Sequence, residues 1–142
     1  MKDKLWRSLE DYLQDPSHPY ALLAHYAGLL TSETEREFEG RATPIVDEDW
    51  VAYGLYLRAS KFPTYWHKLF AVTPNTRVDA YPVSVLYTPK GETPQSVQCA
   101  DEAELRAGLE KLIQDQATAN LLGHLRGLVA IQERNEQPRP LA

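Results

Sequence analysis

The stretch Pro82-Val83-Ser84-Val85-Leu86-Tyr87-Thr88 is rich in residue types that favour β-strands. The following Pro89-Lys90-Gly91-Glu92 has the composition of a turn, and Ser96-Val97-Gln98-Cys99 can return as a second strand. The sequence therefore predicts an antiparallel hairpin near residues 82–99. Because helical patterns lie on both sides of it, we expect an α+β fold: a mostly helical single domain with a small antiparallel sheet, flanked by N-terminal and C-terminal helices.

Apolar residues at helical spacing predict two helices before the hairpin. The first runs from Lys4 to Gln14. The second runs from Tyr20 to Leu30 and is apolar almost all round, so we expect it to be the most buried helix of the protein. Ser17 is placed to cap this second helix, and Pro19 suits its first turn, where a missing backbone N–H has no cost.

The stretch from Thr31 to Gly40 allows two interpretations. Its four glutamates, at positions 33, 35, 37 and 39, alternate and would line one face of a strand with carboxylates. Ser32 with Glu35, however, has the spacing of a capping box, and Gly40 stands where a helix would stop. We expect a short exposed helix here.

Residues 47–61 carry several helix signals that agree with one another. The acids at positions 47–49 complement the positive end of a helix dipole, Arg58 and Lys61 complement the negative end, and Pro63 blocks continuation. We therefore expect a helix from Asp47 to Lys61. The next stretch, Thr64 to Val72, is compatible with either a short helix or a strand.

Two further helices are predicted over most of Asp101 to Ile131, with a break near Asp115. Asp101 and Glu104 form a capping pair for the first, and leucines recur at helical spacing along both. The segment from Asn135 to Ala142 is polar and contains two prolines, which is typical of a flexible tail. A single globular domain is thus expected over residues 1–134.

The composition bounds the class of protein. The chain has 142 residues, with 15 Lys or Arg against 20 Asp or Glu, and hence a net charge of −5. This acidic balance argues against a nucleic-acid partner. No apolar run approaches the roughly 20 residues that cross a bilayer, and charged residues interrupt the start of the chain, so we expect a cytoplasmic protein without a membrane span.

The segment from Trp50 to Phe70 has an unusual composition. It holds seven of the fourteen aromatic residues and three cations with no acid, so it carries +3 while the rest of the chain carries −8. Such a segment can bind an acidic protein surface, or its aromatics can simply fill the core. The residues that we expect at an interface are Tyr56, Arg58, Tyr65, Trp66, His67 and Lys68.

Other candidate chemistry finds little support in the sequence. Cys99 precedes a predicted helix, but the acids at positions 101, 102 and 104 would raise the pKa of its thiol, so we expect a buried, inert cysteine. The four histidines lack metal-ligand spacing, and His25 is expected in the interior. Phosphate-binding and serine-hydrolase motifs are absent from the sequence. We therefore expect no catalytic residue, cofactor or metal ligand.

A resemblance to a known family extends over residues 85–125. The order Val85-Leu86-Tyr87-Thr88-Pro89, then Val97 to Leu105, then Asn120-Leu121-Leu122-Gly123-His124-Leu125 resembles a segment of the dermonecrotic-toxin-like domain in large pseudomonad proteins. There a strand containing Tyr-Thr-Pro leads through a loop to a second strand and two helices. The resemblance includes no catalytic motif, so it implies a bacterial, toxin-associated context and transfers no functional residue.

These observations favour a small protein-binding module, similar in role to an immunity protein, a secretion chaperone or an adaptor. It would bind its partner through the segment from Trp50 to Phe70, or through the acidic stretch of residues 33–49, which could dock a basic partner. Its partner would be another protein, such as a toxin or effector, and a homo-oligomer is compatible with the sequence. The alternative is a small-molecule-binding protein or enzyme. Its pocket would lie between sheet and helices and be lined by Trp66, His67, Tyr81 and Tyr87.

Overall fold

The computed structural model describes residues 15–48, 50–76, 79–88 and 93–136. Within these ranges it contains three helices, namely α1 (Pro19–Glu33), α2 (Glu102–Ile113) and α3 (Gln116–Glu136). It also contains five strands, namely β1 (Phe38–Val46), β2 (Val51–Ala59), β3 (His67–Pro74), β4 (Val83–Tyr87) and β5 (Gln95–Cys99). The strands form one antiparallel sheet in the order β1-β2-β3-β4-β5.

The described helices pack on one face of this sheet. The main core lies between α1, α2 and the four strands β2 to β5, and it includes Leu23, Leu55, Val72 and Leu109, all fully buried. A second core cluster joins α3 to the first two strands, where Leu125 packs with buried residues of β1 and β2. We call this side the helix-covered face, and the opposite side, on which none of the described helices packs, the open face; its small residues Ala52 and Ala71 are nevertheless buried.

Close approach of α1 to β1 depends on a glycine. A Cβ atom at Gly40 would lie 2.6 Å from the backbone oxygen of Ala27, so only glycine fits there without a shift. The backbone N–H of Gly40 also donates to the Thr31 hydroxyl at 2.9 Å. This contact seats the helix directly on the first strand.

Several predicted elements are confirmed. The fold is α+β, the 82–99 hairpin is β4 and β5, and the Tyr20 to Leu30 helix is the central part of α1. The two C-terminal helices break between Ile113 and Gln116, as expected. The N-cap of α1 was misassigned, however: the side chain of His18, not Ser17, accepts the hydrogen bond from the N–H of Tyr20.

The prediction of a mostly helical fold was wrong. Helices account for 42% and strands for 31% of the described residues. The helix expected from Asp47 to Lys61 is a hairpin turn, in which the N–H of Asp47 donates to the oxygen of Trp50, followed by strand β2. The acids mark a turn rather than a helix start, and the apolar side chains of β2 recur at every second position, the period of a strand.

The short exposed helix expected over residues 31–40 was also wrong. The chain leaves α1 after Glu33, turns through Glu35 and Arg36 with positive φ angles of 52° and 65°, and enters β1 at Phe38. Phe38 is only 1% exposed, so burial of its ring outweighs the local capping signal. The stretch from Thr64 to Val72 was compatible with a short helix or a strand; from His67 onward it forms strand β3.

Two expectations concern residues outside this description. The helix from Lys4 to Gln14 lies outside the described residues, as do positions 137–142 of the predicted tail, whereas Asn135 and Glu136 belong to α3. No helix in the described part of the chain has the length and apolar character needed to cross a membrane.

The close contact at Gly40 predicts a stability difference between two glycine variants. Gly40→Ala should destabilise the fold by about 2 to 3 kcal/mol, because the new methyl group would overlap the backbone of α1. Gly28→Ala, on the exposed side of the same helix, meets nothing within 4 Å and should stabilise the protein by up to about 1 kcal/mol. Urea unfolding measures both changes. Equal stabilities of the two variants would contradict the contact.

Candidate functional site

The structure separates the six interface candidates between the two faces of the sheet. Tyr56 and Arg58 alternate along β2 with the buried Leu55 and Leu57, so they lie on the open face. Lys68 is the β3 partner of Tyr56 and lies on the same face. Trp66 joins them by packing against Arg58. Tyr65 is exposed and its ring lies 4.3 Å, centroid to centroid, from that of His67, which is paired with Leu57 on the helix-covered face.

Arg58 is the centre of a network that fixes Trp66. Its guanidinium carbon lies 4.4 Å from the Trp66 ring centroid, a cation–π geometry. Nε and Nη2 donate to Oε2 of Glu39 at 3.1 and 2.6 Å, and Nη1 donates to the oxygen of Pro63 at 2.6 Å. The hydrogen bonds from Arg58 and then Ser60 hold the pKa of Glu39 below its usual value. Because the Arg58 charge is already matched, this residue positions Trp66 and the loop before β3.

The positive charge of the segment is partly neutralised within the protein. Besides the Arg58 pair with Glu39, Lys61 forms an ion pair with Glu133 of α3 at 3.2 Å. Lys68 has no carboxylate partner among the described residues. Of the three cations in the segment, Lys68 is thus the one whose charge can pair with an acidic group of another molecule.

A second such cation, Arg41, comes from β1. The register places Arg41 opposite Tyr56, and Tyr56 opposite Lys68, so the three form a row across neighbouring strands. Arg41 and Lys68 are both exposed, and within the described ranges Arg41 also lacks an acidic partner. We call Arg41, Tyr56, Lys68, Arg58 and Trp66 the basic–aromatic patch.

Tyr56 is held in place within this patch by its neighbours. A Cβ atom at Gly54 would lie 2.7 Å from Cε2 of the Tyr56 ring and 3.1 Å from Cδ1 of Ile45. Because Gly54 has no side chain, the Tyr56 ring can pack directly against the sheet. The result is a half-buried aromatic surface between two exposed cations.

The acidic residues of the 33–49 stretch do not form one surface. Glu37 accepts two hydrogen bonds from Arg126 of α3, at 2.6 and 2.8 Å, which hold the pKa of Glu37 below its usual value. Glu39 is engaged by Arg58, while Asp47 stands at the far end of β1. These acids therefore do not form one continuous docking surface for a basic partner.

The histidines have distinct environments. His25 is exposed on α1, so its predicted interior position was wrong: α1 packs on one side only, and His25 lies on the other. Burial lowers the pKa of His67, and nearby His124 lowers it further. The Nε2 atom of His67 is buried and has no hydrogen-bond partner among the residues that the structure describes.

The four residues predicted to line a small-molecule pocket have separate environments among the described residues. The Tyr81 hydroxyl donates to the oxygen of Ser17 at 2.6 Å, and that of Tyr87 donates to Oε1 of Gln95 at 2.9 Å. Trp66 is on the open face, away from His67. Of the two described cavities beside the sheet, neither is lined by more than one of these four residues.

These two cavities lie beside the sheet. One of about 670 Å³ lies between α2 and strands β4 and β5, and Tyr87 is part of its lining. Another, of about 470 Å³, lies between β3 and the start of α3; it is lined by Lys68, Leu69, Thr88, Ala117, Thr118, Asn120, Leu121 and His124. No group of three or more potential metal-ligating side chains gathers anywhere in the described ranges.

Cys99 is buried at the end of β5, as expected. Burial raises the pKa of its thiol, and Glu104 and Asp101 raise it further. The side chain of Asp101 instead caps α2, accepting from the N–H of Glu104 at 3.0 Å.

This environment predicts that the Cys99 thiol is unreactive in the folded protein. Alkylation by iodoacetamide at neutral pH should be at least about a hundredfold slower than in urea, because reaction requires the fold to open. The Cys99→Ala variant should retain the function of the protein. Rapid native labelling, together with loss of function in the variant, would contradict this assignment.

His67 predicts a pH dependence of stability. Because burial lowers its pKa in the folded state, its neutral form contributes stability above its unfolded pKa, about 6.5, and this is lost as the pH falls through the folded value. His67→Gln should therefore reduce the loss of stability between about pH 7.5 and pH 5.5. His25→Gln, at an exposed position, should leave that loss unchanged, and His18, whose pKa burial also lowers, is present in both variants. Urea midpoints at the two pH values measure it, and equal losses in wild type and His67→Gln would contradict it.

Comparison with known proteins finds no match: no family model matches the chain, and neither a curated protein nor a solved structure is significantly similar to it. The resemblance over residues 85–125 therefore stays a prediction. The functional argument rests on the geometry of the two faces of the sheet.

Proposed function

We propose that this protein is a protein-binding module whose basic–aromatic patch docks against an acidic surface of a partner protein. The observation that carries this proposal is the row of Arg41, Tyr56 and Lys68, in which an aromatic ring lies between two exposed cations without acidic partners in the described residues. Aromatic rings flanked by positive charge are typical anchors of such interfaces.

The rigidity of the patch supports this role. Trp66 is held against Arg58, which is itself fixed by Glu39 and the backbone of Pro63, so neither side chain has to be ordered when a partner binds. The Tyr56 ring likewise packs over Gly54, where a side chain would collide with it. Such preorganisation reduces the entropic cost of association.

The two exposed cations would act mainly on encounter. Arg41 and Lys68 are solvent-exposed, and charges in such positions steer association more than they stabilise the bound state. An acidic partner is the occupant that matches them. The central affinity would come from Tyr56 and Trp66.

The biological context belongs to the same proposal. The resemblance of residues 85–125 to a toxin-associated domain supports a bacterial toxin or effector as the partner class. In that setting the protein would act in the cytoplasm, in the manner of an immunity protein, a secretion chaperone or an adaptor.

The experiment is a comparison of charge and aromatic variants in quantitative affinity capture, followed by kinetics with the captured partner. Arg41→Glu should slow association by about tenfold and weaken its salt dependence, because a steering charge is reversed. Arg134→Glu is the matched control, since Arg134 is exposed near the end of α3. A captured protein that binds wild type and Arg41→Glu equally would contradict the proposal, as would one whose bound region is basic.

Trp66→Ala separates binding from stability. The ring is half-buried rather than in the core, so its removal should destabilise the fold by about 1 to 2 kcal/mol, less than the roughly 3 to 5 kcal/mol of a core aromatic. Partner binding should weaken by at least about 2 kcal/mol. Urea unfolding and calorimetric titration measure the two quantities. A large loss of stability with unchanged affinity would return Trp66 to a purely structural role.

A further inference from the structure

The cavity between β3 and α3 has a lining that is unusual in this acidic protein. It measures about 470 Å³, within the range of small-ligand sites, and none of the eight described residues that line it is Asp or Glu. The larger cavity beside α2, by contrast, includes Glu110 and Asp115 as well as Lys111. Only the β3–α3 cavity of these two therefore presents cationic and neutral groups without a carboxylate.

Donor groups converge on this cavity from three elements. Lys68 lies beyond the part of β3 that pairs with β4, which begins at Ala71, so it borders both the open face and this cavity. Thr88 follows β4, and Asn120 and His124 lie one helical turn apart on α3. The Asn120 side-chain oxygen accepts from Nε2 of Gln116 at 2.9 Å, which leaves its amide nitrogen to donate elsewhere. Its lining therefore combines an ammonium, a hydroxyl, an amide N–H and an imidazole.

The cavity also has an apolar part. Leu69, Ala117 and Leu121 contribute to its lining. The remaining polar residue, Thr118, is already engaged, since its hydroxyl donates to the oxygen of Leu112 at 2.8 Å and fixes the junction of α2 and α3. At the N-terminus of α3, Asp115 accepts from the N–H of Gln116 through its side chain and from those of Thr118 and Ala119 through its backbone oxygen. The side chains, not the helix end, thus define what the cavity can bind.

We infer that this cavity binds a small organic anion, whose charged group is held by Lys68, Asn120 and His124 and whose apolar part contacts Leu69 and Leu121. Charged donors and an anionic group form the stronger class of hydrogen bond, and among the described lining residues no carboxylate opposes it. The charged group is a carboxylate or a phosphate, since both accept several hydrogen bonds. This inference shares Lys68 with the proposed docking function, whereas Asn120 and His124 belong to the cavity and not to the basic–aromatic patch.

The test is an NMR titration of the ¹⁵N-labelled full chain with benzoate and with phenyl phosphate, and benzamide serves as the neutral analogue of benzoate. An anion that enters the cavity should shift the signals of residues 88 and 117–124 saturably, with a dissociation constant of about 10 mM or tighter for probes of this size. Benzamide should bind at least about tenfold more weakly. The tighter of the two anions identifies the charged group.

Variants of α3 locate the site. Asn120→Ala and His124→Gln should each weaken binding of the preferred anion by about fivefold to tenfold, because the first removes an amide donor and the second replaces the imidazole and its geometry. Asn120→Ala should leave α3 intact, because alanine is the better helix former. His25→Gln, at an exposed position on α1, is the matched control and should bind as wild type does. Both cavity variants leave the exposed cations of the open face unchanged, so this test and that of the docking surface can fail separately.

Three results would overturn the inference. The first is the absence of saturable shifts at residues 88 and 117–124 with either anion. The second is equal affinity for benzoate and benzamide, which would show that charge is not recognised. The third is unchanged affinity in both Asn120→Ala and His124→Gln, provided that their spectra are those of folded protein.

Discussion

Burial of alternate side chains of β2 beneath the helices is the constraint on which the rest of the structure depends. Leu55 belongs to the core under α1 and α2, and Leu57 to the cluster under α3; both are completely buried. Since strand side chains alternate, the same register places Tyr56 and Arg58 on the open face. A slip of one residue would exchange the two sets and bury a charge. The hydrophobic side of the sheet thereby determines the chemistry of the other side.

The parts of the fold that could be predicted from the sequence are those in which local signals and tertiary packing agree. The cap of α2 is an example: Asp101 accepts from the N–H of Glu104, as their spacing indicates. The cations in and after β2 did not indicate a strand, because the acids with which they form ion pairs are distant in sequence. Arg58 pairs with Glu39 and Lys61 with Glu133, rather than with the dipole of a helix of their own. Alternation of apolar residues was the informative signal there.

Sequence reasoning found part of the candidate site. The composition of residues 50–70 singled out Tyr56, Trp66 and Lys68, and these do meet on the open face. Arg41 was missed because it stands in a stretch that is acidic overall, and only the β1–β2 register brings it opposite Tyr56. The β3–α3 cavity could not be foreseen either, since its residues come from elements that meet only in three dimensions. Knowledge of the β1–β2 pairing and its register would have been enough to find Arg41.

The basic–aromatic patch can attract an acidic partner although the chain has a net charge of −5, because the distances between charged residues, not the overall composition, set the local potential. Arg41 and Lys68 are two strand spacings apart, about 10 Å, which is close to the Debye length at physiological salt, so their potentials overlap. Glu39 is nearer to Arg41 along β1 but is matched by Arg58. Asp47, six residues beyond Arg41 and just past the end of β1, is about 20 Å away and largely screened. An approaching partner therefore meets the local charge of the row and not the net charge of the protein.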